Sequence, residues 1–187
     1  MTLTLKLAAP PSDQEILDLS RRNPGLRFER GPGGDLIVTP TGSKGGRREA
    51  ELVAQLHRWA REHGGATFGA SAGFRLPDGS LLSPDASWVR QERWEAMSPE
   101  DQERFAPLCP DAVFEIASRT DALADLRAKM HVYLANGAQI AVLIDPFNRK
   151  VEVFARGQAS KVIEGAGQIT LEPALPGFTL DLSPIFA

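Results

Sequence analysis

The chain has 187 residues, 42% hydrophobic and 24% charged, with a formal net charge of -3 from 21 Lys and Arg against 24 Asp and Glu. That balance excludes intrinsic disorder and a uniformly basic nucleic-acid coat, while a local positive patch still depends on where the charges sit. Its length suffices for one domain to bury a core unaided, and the single cysteine, Cys109, excludes a disulfide framework and a cysteine-rich zinc site.

Met1 to Leu7 carries one lysine and no long apolar run, so it does not read as a signal peptide. Nowhere does the sequence approach the about 18 consecutive apolar residues that span a bilayer. A cytoplasmic protein is expected. Ser12 to Leu19 reads as a short helix, capped by Ser12 with Glu15 three residues on, and Asn23-Pro24-Gly25 ends it. Leu26–Glu29 and Leu36–Thr39 flank Gly31–Asp35 and read as a hairpin. Pro40 to Gly46 reads as loop. From Arg47 to Glu62, Leu52, Val53, Leu56, Trp59 and Ala60 recur at helical spacing until Gly64-Gly65.

Strand-like segments follow at Thr67–Phe68, Gly73–Leu76 and Leu81–Val89, with Pro77-Asp78-Gly79 as a turn. Gln91 to Phe105 is polar and helical in pattern, Ser98 capping its second piece. Ala112 to Ala117 is a short apolar run carrying one carboxylate. Thr120 is expected to cap a helix from Asp121 to Asn136, with Gly137 at its end. Gln139 to Ile144 is continuously apolar, as in a strand covered on both faces. Val151–Phe154 and Lys161–Ile163 read as a hairpin, and Gly177–Leu182 closes the chain. The pattern is α/β: a mixed β-sheet flanked by helices, read as one domain over 1–187, with an N-terminal helix and hairpin (1–40) ahead of the main core (41–187).

Glu115 lies in the middle of Val113-Phe114-Glu115-Ile116-Ala117. A carboxylate there is costly unless a hydrogen-bond network or a cation compensates it. Pro84-Asp85 supplies a second acid at the start or bend of a strand. Asp125, Lys129 and Tyr133 then share one helix face at i, i+4, i+8. Two carboxylates and an ammonium around one point suit phosphodiester hydrolysis: carboxylates bind Mg2+ or Mn2+, and the lysine stabilises developing charge. The Ile116 carbonyl would be a third metal ligand. Pro110-Asp111 spells the same opening, but Asp111 and Glu115 stand about 13 Å apart along a strand, too far to share an ion.

These residues resemble the nuclease superfamily named for its Pro-Asp…(Asp/Glu)-x-Lys signature, PD-(D/E)XK, and within it the Uma family of endonucleases, long filed as a domain of unknown function. The matching segments are Ser83-Pro84-Asp85, Cys109 to Ser118, the series Asp125…Lys129…Tyr133…Gly137, Leu143-Ile144-Asp145-Pro146 and Leu175-Pro176-Gly177-Phe178. The resemblance runs from about Pro40 onward. It implies a restriction-endonuclease-like fold, a nucleic-acid substrate with DNA foremost, and homo-oligomers, since such nucleases often pair. Two residues after Glu115, where the superfamily has its lysine, stands Ala117; the resemblance makes Lys129 the replacement. Glu49 or Glu51 stands where the family often has a histidine on the first long helix, and such a glutamate would assist the metal.

Single residues have plainer readings too. Lys129 with Asp125 is also what a surface ion pair looks like, Asp85 could be a turn residue, and Glu115 could face solvent. Lys44, Arg47 and Arg48 are either a phosphate-contacting patch or a solvated helix face balanced by Glu49, Glu51 and Glu62. Taken together, the residues point to a metal-dependent endonuclease with Asp85, Glu115 and Lys129 as its chemical centre, Asp125 orienting Lys129. The alternative is a non-catalytic oligomeric binding module that keeps the nuclease fold.

Overall fold

The computed structural model describes residues 2–187; Met1, part of the N-terminal segment considered above, lies outside them. After β1 (Leu3–Leu5), helix α1 (Asp13–Arg22) starts from a capping box. The Ser12 hydroxyl accepts from the Glu15 N–H at 3.2 Å, and the Glu15 carboxylate accepts from the Ser12 N–H at 2.7 Å. The hairpin follows as β2 (Leu26–Arg30) and β3 (Leu36–Pro40). Helix α2 (Ser43–His63) begins a turn earlier than its apolar spacing indicates. That extra turn carries Gly45 and Gly46, whose low helix propensity disguises it as loop.

At the far end of α2, Gly65 is there by necessity. Its φ is +93°, and a Cβ would stand 2.1 Å from Trp88 Nε1 and 2.7 Å from the Val89 carbonyl. Then come β4 (Ala66–Gly69), β5 (Phe74–Arg75), β6 (Leu81–Leu82), β7 (Ala86–Val89), α3 (Gln91–Glu95) and α4 (Pro99–Gln102). The run Leu81–Val89 is therefore two strands. Pro84 has no N–H to continue a ladder, and at Ser83-Pro84-Asp85 the chain passes from one sheet to another.

The remaining elements are β8 (Ala112–Ile116), α5 (Leu123–Ala135), β9 (Ile140–Asp145), β10 (Lys150–Ala155), β11 (Lys161–Glu164), β12 (Gln168–Thr170), β13 (Thr179–Asp181) and α6 (Ser183–Phe186). Thr120 is not the cap of α5. Its N-cap is Ala122, without a side-chain bond; the Ser118 and Thr120 hydroxyls lie 3.3 Å from each other, and the Asp121 carboxylate is taken by Ser118 and Thr2. The Asp121 carboxylate accepts from the Ser118 N–H at 2.9 Å, closing a turn ahead of the helix.

Six strands form the main sheet in the order β11-β10-β9-β8-β7-β4, with only β8 and β9 parallel and α5 crossing between them. The smaller sheet, β1-β3-β2-β6-β5, is antiparallel and carries the N-terminal hairpin. Side chains of the main sheet alternate between two cores. Ala86, Phe114, Val142 and Ile144 face α2 and the C-terminal segment Ile169–Phe186. Val113, Ala141, Leu143 and Phe154 face the other way, onto Met130 and Tyr133 of α5. Ile169, Leu175, Phe178, Leu180 and Ile185 extend the first core, although their sequence shows only a short apolar periodicity. The architecture is a mixed α/β sheet flanked by helices.

Candidate functional site

Alternation along β8 fixes the direction of Glu115. Phe114 faces α2, so Val113 and Glu115 face α5. There the helix presents Lys129 and, one turn on, Tyr133. Lys129 Nζ lies 2.7 Å from Glu115 Oε1, and the Tyr133 hydroxyl donates to the same oxygen at 3.1 Å. The strand pairing explains Asp85. Ala86 pairs with Phe114 and Ser87 with Val113, so extending the antiparallel register one step sets Asp85 across from Glu115. At that point β7 has not begun, and the Asp85 carboxylate accepts from the Ile116 N–H at 2.8 Å instead of sitting in a regular ladder. Both acids are nearly sealed from water, at 4% and 2% exposure.

Two further charged residues, Arg27 and Glu29, come from β2. Arg27 Nη1 donates to Asp85 Oδ1 at 2.9 Å. Glu29 Oε1 accepts from Lys129 Nζ at 2.9 Å and from the Ser83 N–H at 2.7 Å. Sequence reasoning missed both. β2 reads Leu-Arg-Phe-Glu-Arg, a pattern typical of a solvated hairpin, and only the junction between the two sheets buries Glu29. Lys129 is thus clamped between carboxylates of two different sheets.

Burial dominates the electrostatics. It pushes Glu115 up to about 7; Lys129 and Arg27 oppose the rise, whereas Asp85 and Glu29 add to it. Burial also works to raise Glu29, but there Lys129, Arg27 and the Ser83 N–H win, and its carboxyl is lowered. For Lys129 burial favours the neutral amine, yet Glu115 and Glu29 outweigh it and hold the ammonium charged. Burial, and after it the Glu115 charge, lift the Tyr133 phenol well above its ordinary value, so it acts as a donor only.

The remaining expected residues divide. Glu49 is half-buried on α2; burial and then the Asp85 charge raise its carboxyl. It lines a cleft of about 970 Å³ together with Asp85, Arg27, Ile116, Lys44 and Arg48. Glu51 and Arg47 do not line that cleft. Arg48 is buried, not part of a solvated face. Its guanidinium and that of Arg119 lie 5.1 and 4.6 Å from the Phe147 ring centre. Asp125 does not orient Lys129: it is exposed in the first turn of α5, and the lysine head is taken by Glu29 and Glu115. Asp111 is also accounted for. It sits buried at the other end of β8, in ion pairs with Arg90 at 2.9 Å and Arg93 at 2.8 Å.

For a metal, the donors at hand are hard oxygens: the Asp85 and Glu115 carboxylates and the peptide oxygen of Ile116. That chemistry fits Mg2+ or Mn2+, which keep several waters of their own. Among the described residues no group of three His, Cys, Asp or Glu forms a ready-made cage, so water would complete the coordination. Glu115 Oε2 has no hydrogen-bond partner among the described residues, and one Asp85 oxygen is held by the Arg27 side chain while the other is held by the Ile116 N–H.

A family model described as "Uma2: Putative restriction endonuclease" matches residues 13–183. No curated protein matches the chain. Among solved structures, the chain is similar to "a putative nuclease belonging to DUF820" from Anabaena variabilis, with a TM-score of 0.76 and 20% identity over 95% of this chain and 98% of that one. At that identity the likeness shows the fold: a restriction-endonuclease-like one.

Proposed function

The chain belongs to the Uma2 family, and we propose that it is a metal-dependent endonuclease hydrolysing nucleic-acid phosphodiester bonds, DNA foremost, with Asp85, Glu115 and Lys129 at its centre. The observation that carries this reading is the 2.7 Å contact between Lys129 and Glu115, on the sheet face that the strand register also assigns to Asp85. Mg2+ or Mn2+ held by Asp85, Glu115 and the Ile116 carbonyl would polarise the phosphodiester and activate a water. Ile116 N–H fixes one Asp85 oxygen, and Tyr133 fixes one Glu115 oxygen, so the two acids are oriented in advance. Lys129, anchored by Glu29 and Glu115, offers a fixed positive charge to the negative charge that develops on the phosphate. Glu49 stands in the cleft wall in a supporting position, and Lys44 and Arg48 offer positive charge along it.

The second reading, a non-catalytic oligomeric binding module, draws on one observation: both Asp85 oxygens already have protein partners, Arg27 and the Ile116 N–H. Incubation of plasmid and single-stranded DNA with Mg2+ or Mn2+ separates the two. The wild type should cleave, and Glu115→Ala and Lys129→Ala should lose cleavage by at least a hundredfold while remaining folded. Cleavage that persists unchanged in both variants removes the site assignment, and a wild type inert with every substrate favours the binding module.

A further inference from the structure

Arg27 holds a position that the hydrolytic reading leaves unused. Together with Asp85 and Ile116 it forms the part of the site that faces the cleft, whereas Glu115, Glu29, Lys129 and Tyr133 stand behind and do not line it. Its side chain is 19% exposed, Nη1 is on Asp85, and its buried Nε has no partner. A guanidinium with Nη1 engaged and a buried Nε unsatisfied is short of partners, and by turning towards the cleft that Arg27 lines it would present a planar fork suited to a phosphate.

Charge in the buried cluster points the same way. With Glu115 ionised, the form that can hold a cation, Asp85, Glu115 and Glu29 carry three negative charges against two positive ones on Arg27 and Lys129, so the cluster is then one short of neutral. A divalent cation alone would overshoot to a surplus of one positive charge beside two fixed cations, in a site with little water to screen them. A divalent cation together with one phosphodiester brings the sum to zero. If Arg27 turns to that phosphate, its bond to Asp85 is released, while the Ile116 N–H keeps the carboxylate aimed.

We infer that Arg27 is an internal counter-ion of Asp85 that yields to a phosphodiester, so that the divalent cation and the nucleic-acid backbone are taken up together and the cation alone is held weakly. This rests on the nuclease reading and names how that site selects its ligands. Arg27 is here a binding residue for the phosphate and a gate for the cation.

The test is Mn2+ binding to the full chain, followed by calorimetry or by the electron paramagnetic resonance of free Mn2+. For the wild type, a phosphorothioate oligonucleotide should tighten Mn2+ at least tenfold, and an uncharged methylphosphonate oligonucleotide of the same sequence should not. Arg27→Gln should bind Mn2+ alone at least tenfold more tightly than the wild type, with a smaller gain from the phosphorothioate; Arg27→Lys, which keeps the charge but not the fork, should hold Mn2+ alone as weakly as the wild type and gain less from the phosphorothioate. A wild type whose Mn2+ affinity ignores the phosphorothioate overturns the inference without recourse to any variant. So does a folded Arg27→Gln protein with wild-type Mn2+ affinity. If the wild type cleaves DNA while either of those results holds, the Arg27 inference fails alone; if it neither cleaves nor binds Mn2+, the nuclease reading fails and the inference with it.

Discussion

Replacing Lys129 with methionine is the most direct probe of the buried cluster. Methionine preserves the length of the apolar stem, so the loss is confined to the ammonium. Glu29 and Glu115, 3% and 2% exposed, would then lose the cation that lies within 2.9 Å of both. Breaking a buried ion pair from one side costs roughly 3–5 kcal/mol, because the other charge is left uncompensated. Two acids are stranded here, but they respond differently. Glu115, already pushed up to about 7, can take a proton and escape much of its share. Glu29 remains close to Arg27 and the Ser83 N–H, which favour its charged form. An overall loss near the single-pair figure is therefore expected: about 4 kcal/mol at pH 8, out of a total that is typically about 5–15 kcal/mol.

For a domain of this size that loss lowers the melting temperature by roughly 8–16 °C. Thermal and urea unfolding of Lys129→Met at pH 8 and pH 6 would read it, with a smaller loss at pH 6, where Glu115 is more fully protonated. The double variant Lys129→Met/Glu115→Gln should recover at least 1 kcal/mol or so of the single variant's loss, because the two residues are coupled. A single variant within about 1 kcal/mol of the wild type at both pH values, or a double variant with no recovery, would refute the account of Lys129 as the shared counter-ion.

Glu115 also sets a pH dependence in the metal-free protein. Because its folded-state value is raised from 4.5 to about 7, its stabilising share is complete below pH 4.5 and is lost as the pH rises through about 7; this amounts to about 3 kcal/mol, which Glu115→Gln should flatten in urea titrations across that window. Glu29 has the opposite sign: its value is lowered, so its contribution is present above pH 4.5 and is lost as the solution becomes more acidic than that. Tyr133→Phe removes a donor to a buried carboxylate and should cost about 1.5–3 kcal/mol in urea unfolding, while cleavage falls because Glu115 loses its orientation; full activity with unchanged stability would show the hydroxyl to be idle. Asp111→Ala should destabilise by about 1–3 kcal/mol, since the Arg90 N–H loses its acceptor while the partly exposed Arg90 and Arg93 heads turn to water, whereas Asp125→Ala should leave both melting temperature and cleavage rate at wild-type values.

Much of this chain is legible in one dimension because its signals are local. Ser12 and Glu15 announce their capping box, Leu52, Leu56 and Trp59 announce α2, and the unbroken apolar run at Gln139–Ile144 announces a strand buried on both sides. A lone carboxylate among Val113, Phe114 and Ile116 is equally local, since burying it demands a partner whatever the fold. The α5 lysine was a candidate for that partner by its helical spacing and by family resemblance. What surrounds the pair was not legible. Arg27 and Glu29 belong to a strand whose charged alternation looks solvated, and they enter the site only because Ser83-Pro84-Asp85 carries the chain from the small sheet into the large one. Asp125 looked like the natural companion of Lys129 four residues away, yet a helix-surface pair worth a few tenths of a kcal/mol gives way to two buried carboxylates that no spacing rule connects. Sequence alone determined which elements form and which acid had to be compensated, because propensity, capping and the cost of a buried charge act over a few residues. Tertiary structure decided which cations answer it, because Coulomb attraction in a dry interior depends on distances that only the packing of two sheets against one helix creates.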